Sequence, residues 1–481
     1  MSYKERELTV SFTLANGTFD GDIGDTLTVK GFKCEAAISA FGGATGTVLE
    51  LSLWGLSLEN MSKLTTNAQK IIAYAQNSIV VYAGDTRVFS GSITSARINL
   101  NQMPDAPIEI TAAAAGRERL IPCEPTSIRG DADVADMIRA LAFKVGLKFI
   151  NVDVKATHRN PYFDDNAIMQ ILKIAAAHNI SVDIDFGTVT IYTGKTPSDS
   201  VVPYISPATG LIGYPIFYEM GINFRCIYSP ALKLNTKIIL ETELPHASGE
   251  WVVQAGTTHY LSCKVPAGFG RRLLWHLRHL SSEGKAMATN QKASDISCQG
   301  NAILSLIATS SKGNVFADIV LVKDVGDGVM TVLPLVSGAN VSGGEIKCQE
   351  VYDIPFIRYQ AGNSAVKMTP RIGDIGLVIA CDKDTTNVRA SRQSGPPPTQ
   401  RRHSYSDAVY ITAIASLNDE PTEFAEFTGS GIKIQSPGVV NINGLKVHPN
   451  GQLELVDGSI VDGHTHGGVV SGGSRTDPLE P

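Results

Sequence analysis

Four short apolar pairs near the C-terminus constrain the fold most. Ile432/Ile434, Val440/Ile442, Leu445/Val447 and Leu453/Leu455 alternate with other residues, and Gly429, Gly431, Pro437-Gly438, Asn443-Gly444, Asn450-Gly451 and Asp457-Gly458 punctuate them. The spacing predicts strands of three or four residues joined by turns. Strands that short do not make a stable domain from one chain. Each apolar row needs a cover, and equivalent rows from other chains supply it. The expected solution is a three-chain β-prism or β-helix, apolar inside and polar outside, stacked layer on layer. Winding chains together also hides strand edges and gives a stiff rod. The alternative is a disordered tail, against which the regular spacing argues.

The stem leads into Gly463-His464-Thr465-His466-Gly467-Gly468, in a chain with 10 histidines. In extended chain, alternate side chains share a face, so His464 and His466 point the same way. Two imidazoles are half of a weak metal site, and the flanking glycines are too flexible to orient more ligands from the same chain. Three chains would bring six imidazoles, which suits an octahedral first-row metal such as iron. A solvated His-Thr-His is the plain alternative. A metal-dependent hydrolase is another, but it needs further His, Lys or Asp ligands downstream, and only a short tail follows. No His-Glu-x-x-His helix is present.

At 481 residues the chain has room for several domains, and 43% hydrophobic with 18% charged residues marks it as globular. A net charge of −6 makes no case for nucleic-acid binding. Cys34, Cys123, Cys226, Cys263, Cys298, Cys348 and Cys381 are scattered, with no C-x-x-C pair. They read as buried free thiols of a chain made in a reducing cytoplasm. No apolar run of membrane-spanning length and no signal peptide is present.

Residues 1–112 read as β. Leu8, Val10, Phe12 and Leu14 alternate with other residues, Asn16-Gly17 is a turn signal, and one helix is expected around 57–75. From 113 to 200 the period becomes helical. Val134, Met137, Ile138, Leu141 and Val145 follow one helix, with Asp131 or Asp133 as cap and Gly146 as stop. Ile168, Ile171, Leu172 and Ala175 follow a second, closed near His178-Asn179. Strands at 181–185 and 188–192 complete a small α/β insertion. His178 is read as a partner of the helix dipole. Residues 201–268 return to β.

Gly42-Gly43, Leu53-Trp54-Gly55-Leu56, Met61 to Thr66, Tyr82-Ala83-Gly84-Asp85, Thr209-Gly210-Leu211-Ile212-Gly213-Tyr214-Pro215 and Gly249-Glu250-Trp251 resemble the baseplate hub protein of contractile phage tails. The similarity spans about residues 5–266. It implies tube-like β domains, three copies of which form a pseudo-six-fold ring between a hexameric tail tube and a trimeric spike. It stops at 269–299. There Gly270-Arg271-Arg272-Leu273-Leu274-Trp275-His276-Leu277-Arg278-His279-Leu280 is basic and locally amphipathic, and Met287-Ala288-Thr289-Asn290 reads like a new start. We read a linker joining two fused frames, with a surface or membrane-lying helix as the alternative.

Residues 300–416 read as a compact all-β unit. Strand-length runs at 316–322, 329–336, 344–349, 365–368, 376–381 and 408–413 suggest an OB-like barrel. Nucleic-acid binding there lacks the basic-aromatic interleaving it needs. The run 393–402, with Pro396-Pro397-Pro398, reads as an exposed loop, and Arg401, Arg402 and His403 as a solvated charge cluster. Val332-Leu333-Pro334-Leu335-Val336, Ile354-Pro355-Phe356, Ile372-Gly373-Asp374-Ile375-Gly376 and His403-Ser404-Tyr405-Ser406-Asp407-Ala408-Val409 resemble the N-terminal domain of membrane-piercing tail spikes. That resemblance implies a stem at 417–462 and a tip at 463–481, where His464 and His466 of three chains hold one iron. It implies a mechanical virion protein of the tail baseplate, synthesised in the host cytoplasm. The protein would be a homotrimer that touches the tail tube, other baseplate proteins and the host outer membrane. A contractile secretion-system spike is the nearest alternative. No catalytic constellation is recognisable, and His448 reads as a plain exposed residue.

Overall fold

Period-two alternation produces the first sheet. Leu8, Val10 and Phe12 lie on one face of β1 (Leu8–Thr13) and are all fully buried, while their neighbours are half-exposed. The same pattern holds in β3 (Cys34–Ala40), β4 (Thr47–Leu53), β5 (Ser78–Ala83) and β7 (Ile108–Ala113). β2 (Thr26–Lys30) pairs with β1, and β6 (Thr86–Ile98) lies between β5 and β7. Helix α1 (Leu58–Leu64) is capped by Ser57 and lays Met61 and Leu64 on the core. Each fully buried Leu, Ile or Phe contributes roughly 1.5–3 kcal/mol of transfer free energy, so this face holds the sheet together.

The computed structural model describes residues 7–19, 24–43, 46–65, 76–103, 105–193, 201–218, 221–253, 256–263, 273–278, 314–339 and 344–463. They form a mainly β, multidomain protein with few helices. The chain divides into two compact units, Met1–Thr412 and Ala413–Pro481.

The α/β insertion has its own core. Helix α2 (Val134–Lys144) is capped by Asp133, whose carboxylate accepts from the Asp136 amide at 2.9 Å, and α3 (Ala167–Ala177) by Asn166, which accepts from Met169 at 3.0 Å. Their apolar faces pack on each other and on β8 (Lys148–Asn151), β9 (Ser181–Asp185) and β10 (Thr188–Tyr192), in sheet order β8-β10-β9. A separate small sheet follows, with β11 (Tyr204–Ile205), β12 (Lys237–Leu240) and β13 (Gly249–Val252).

The chain then rejoins the first sheet. β14 (Thr257–Cys263) pairs antiparallel with β3, and β15 (Leu273–Arg278) pairs with β14, completing nine strands in the order β2-β1-β5-β6-β7-β4-β3-β14-β15. The stretch 269–299, expected as a linker with a helix as the alternative, therefore contains a strand. Cross-strand pairing with β14 overrides the helical pattern of this segment. The residues around it, 264–272 and 279–313, lie outside the described ones.

A five-stranded sheet follows: β16 (Ala317–Val325), β17 (Val329–Pro334), β18 (Val351–Pro355), β19 (Ile375–Ala380) and β20 (Ala408–Ala413), in the order β18-β17-β16-β19-β20. Strand β18 is absent from the sequence expectation. Its burial does not alternate, and Asp353 sits in it with φ of 58°. The expected strand at 344–349 is reduced to a two-residue pairing at Glu345–Ile346, and 365–368 contributes only to an exposed hairpin. Gly376 is required in β19, because a Cβ there would overlap the Tyr410 hydroxyl and the Thr412 carbonyl.

In the second unit, β21 (Phe424–Phe427) pairs with β22 (Ile432–Gln435). β23 (Val440–Ile442), β24 (Leu445–Val447) and β25 (Leu453–Glu454) form a three-stranded meander. The expected short strands are present, and the disordered alternative does not hold for residues 424–454. No described residue of this unit is buried. Among the described residues, no helix is long and apolar enough to cross a membrane.

Candidate functional site

His464 and His466, the expected metal ligands, lie outside the described residues. Among the described residues no group of three or more His, Cys, Asp and Glu side chains is placed to hold a metal ion. His448, read as a plain exposed residue, is half-buried instead. Its Nε2 lies 2.7 Å from Glu454, which also accepts from Lys446 at 2.7 Å. The pairing places these three side chains on the two strands β24 and β25 and the turn between them.

The segment 424–456 leaves apolar side chains uncovered. Phe427, Ile432, Ile434, Ile442 and Val456 are 79%, 64%, 59%, 53% and 81% exposed. Hairpins this short satisfy their backbone hydrogen bonds within one chain but have no second layer over their apolar face. Exposed apolar residues in contiguous rows mark a contact surface.

A second site lies inside the first unit, where the α/β insertion meets the five-stranded sheet. Its centre is Arg401, expected on the surface and in fact buried with a side chain 6% exposed. All three guanidinium nitrogens are engaged. Nε donates to Asp407 Oδ2 at 2.6 Å, and Nη2 donates to Asp407 Oδ1 at 3.0 Å, to Asp384 Oδ1 at 2.9 Å and to Thr386 at 3.0 Å. Nη1 donates to His158 Nε2 at 2.8 Å. Both aspartates are 1% exposed at the side chain. Both aspartates accept further bonds: Asp384 from Thr399 and from the Thr386 amide, and Asp407 from the amide and hydroxyl of Thr385. A buried charge is tolerable only when paired and hydrogen-bonded in this way.

Helix α4 (Thr386–Ser391) is held against this cluster through Arg389, which donates to the backbone carbonyls of Ser406 and Asp353. Arg402 and His403 diverge from Arg401: Arg402 is exposed, and His403 sits 3.0 Å from Asp382.

The insertion contributes two rings. His158, on the short strand Thr157–Arg159, is 2% exposed. Since its Nε2 accepts from Arg401, Nδ1 carries the hydrogen and donates to His178 Nε2 at 2.8 Å. His178 caps α3, as expected, but its ring serves His158. Burial, then the Arg401 charge, pulls His158 down to about 3, and the same two causes lower His178. Burial raises the Asp384 carboxyl, but hydrogen bonds from Thr386 and Thr399, with the charge of Arg401, hold it below its ordinary value.

Polar and aromatic contacts frame the centre. Gln400 N donates to Ala177 O at 2.8 Å, Ser406 Oγ to Asn160 O at 2.9 Å and Asn160 Nδ2 to Asp353 at 2.6 Å. Ser127 Oγ donates to Glu350 O. Tyr162 packs edge-on against Tyr405 with centroids 4.9 Å apart and joins the core of the five-stranded sheet. Asn160 and Asp353, which bond each other, both have left-handed backbones, with φ of 46° and 58°. Such conformations cost of order 1–3 kcal/mol and persist where surroundings over-determine them.

Sequence reasoning missed this cluster. Arg401 follows three prolines in a polar run, and its histidine partner lies 243 residues away. No local period reports such a pairing.

The sequence profile of one family, Baseplate hub gp41, matches residues 49–261. The resemblance to a baseplate hub holds over that stretch, within the 5–266 read from the sequence. No curated protein matches the chain. Among solved structures, similarity is found to the 43 kDa tail protein of prophage MuSo2 from Shewanella oneidensis, at 11% identity and TM-score 0.40, covering 56% of this chain and 96% of that one. The E. coli c3393 protein, a component of the type VI secretion system, is similar at 8% identity and TM-score 0.43, covering 79% of this chain and 96% of that one. The Francisella PdpA–VgrG complex, lidded, is similar at 10% identity and TM-score 0.40, covering 94% of this chain and 76% of that one.

Proposed function

We propose that the chain is a structural protein of a contractile phage tail, a baseplate hub joined to a central spike, working as a homotrimer. The family match over residues 49–261 supports the hub part. The observation that carries the trimer is the stem, whose apolar rows at Ile432, Ile434 and Ile442 stay exposed in one chain. Three chains wound about a common axis turn those rows inward and give the stem the interior it lacks.

In this reading the five-stranded sheet closes as the OB barrel of the spike, and residues 424–454 are layers of the β-helix. The tip follows, with His464 and His466 of each chain offering six imidazoles to one iron. The metal pins three chain ends that have little core to hold them. The hub part seats on the tail tube and touches other baseplate proteins, and contraction drives the spike through the host outer membrane. The task is mechanical and requires no catalytic group.

Light scattering and metal analysis on the full chain test this together. Three chains per particle and one metal per three chains support it. A monomer carrying one metal per chain would instead favour a His-x-His hydrolase and remove the spike reading.

A further inference from the structure

We propose that the contact centred on Arg401 is a clasp that holds the spike half to the hub half without help from the peptide between them. The inference goes beyond the hub-and-spike reading and uses that reading only for the names of the halves. Within one polypeptide, a domain can sit beside another merely because the chain tethers it. Such contacts are polar, wet and short of buried charge. This one is different in kind. Arg401 is shut away from water, each of its three guanidinium nitrogens donates a hydrogen bond, and one of the acceptors, His158, belongs to the hub half. A buried guanidinium whose partner lies across the contact makes separation costly, because parting strips an acceptor from a charge.

Three further observations point the same way. Tyr162 of the insertion is part of the apolar core of the five-stranded sheet, so the two halves share interior. Asn160 and Asp353 hold left-handed backbones on opposite sides of the contact and hydrogen-bond each other. Asn160 is already fixed within its own half by reciprocal bonds with Gly130, so its amide meets Asp353 in a preset orientation. Finally, the bonds of the clasp join residues 127–178 to residues 350–406, more than thirty residues from the connection at 279–313 on either side, so the connection need not bring it about locally.

The test is to cut the full-length protein. A site-specific protease sequence is placed between Ser282 and Glu283 and digested to completion without denaturant. The two fragments are expected to co-elute at neutral pH and moderate salt, and to remain together on dilution. In Arg401→Met the cut fragments should part with a dissociation constant raised on the order of 100-fold. Arg401→Met could fail to fold, so Asn160→Gly serves as the second variant. It suits the left-handed backbone, removes the bond to Asp353 and should weaken the cut complex by about tenfold. Fragments that separate on cutting the unsubstituted protein overturn the clasp. So does a cut Arg401→Met or Asn160→Gly protein that holds as tightly as the unsubstituted one. A cut complex that holds together but contains one copy of each half would leave the clasp standing and sink the trimeric spike, so the two readings fail separately.

Discussion

The first unit and the stem use the same alternation and reach opposite ends. In β1, β4 and β7, alternate residues such as Phe12, Leu49 and Ile108 are completely covered by helix α1 and by residues of neighbouring strands. In β22 and β23 the alternation is equally regular, yet Ile432, Ile434 and Ile442 face solvent in one chain. The strands of the sheet run up to thirteen residues, and those of the stem two to four. Long strands let one chain fold a second layer over itself; short ones spend the chain on turns before a layer can be built. Alternation thus reports that a face exists, and strand length reports whether the chain can cover it alone.

The largest effect should come from charging the uncovered face. Ile434→Asp in the full chain puts three carboxylates on a common axis if the stem is a trimer. Each unpaired buried charge costs several kcal/mol, so the trimer dissociation constant should rise at least about a thousandfold. In a monomeric stem the same change is a surface substitution worth within about 0.5 kcal/mol. Sedimentation of the variant distinguishes them. Loss of the trimer with unchanged melting of the first unit sharpens the comparison, and an intact trimer breaks it.

That contrast also explains what could be read in advance. Strands β9 and β10 and helices α2 and α3 sit where periodicity and caps place them, because each buries a regular face and ends at a polar cap or a left-handed residue such as Asn179. The strand at β15 and the short β18 were not legible. The first owes its conformation to pairing with β14, and the second carries a left-handed Asp353 in mid-strand. Arg401 was misread for a related reason: charge pattern along the chain predicts solvent, whereas Asp384, Thr386 and Asp407 fold around it and His158, 243 residues away, joins them. His464 and His466, expected as metal ligands from their spacing, lie outside the described residues.

A smaller effect, confined to the first unit, should follow acidification. His158 and His178 have folded values below the ordinary 6.5, so the folded contact binds fewer protons than the separated halves. The clasp is then at full strength above pH about 6.5 and weakens as pH falls from there toward about 3. The charges acting on the two rings are Arg401, which lowers both, and Asp384, which raises both. Asp384, held below its usual value, extends the loss further into acid. Asp185, pushed up to about 7 chiefly by burial and then by Asp183, acts in the opposite direction on global stability. Dissociation of the cut halves is therefore the right readout, taken as the difference from His158→Gln, which keeps a polar side chain but does not titrate. Each unit of pH below about 6.5 should weaken the complex by up to about tenfold per histidine. A pH profile identical in the variant would show that the His158 ring is a bystander to the pH dependence of the contact.

The smallest effect tests whether the stem's turns matter once other chains cover its face. Asn443 and Gly444 join β23 to β24 with φ of 52° and 100°, and the Gly444 amide donates to Asn441 Oδ1 at 2.8 Å. Two consecutive left-handed residues form the tight turn that matches strand twist. In Gly444→Ala the added Cβ meets Val456 Cγ2 at 3.1 Å and the backbone is strained, at a cost of about 1 kcal/mol per chain. A lone hairpin of three-residue strands has no reserve to absorb that, whereas a wound trimer loses about three such increments in one cooperative transition. Calorimetry of the full chain should show the stem's transition lowered by several degrees, the first unit's transition unmoved and the particle mass unchanged. If the first unit's transition moves by as much, the stem does not melt by itself, and the division between a region that covers its own faces and one that borrows its cover would have to be redrawn along some other line.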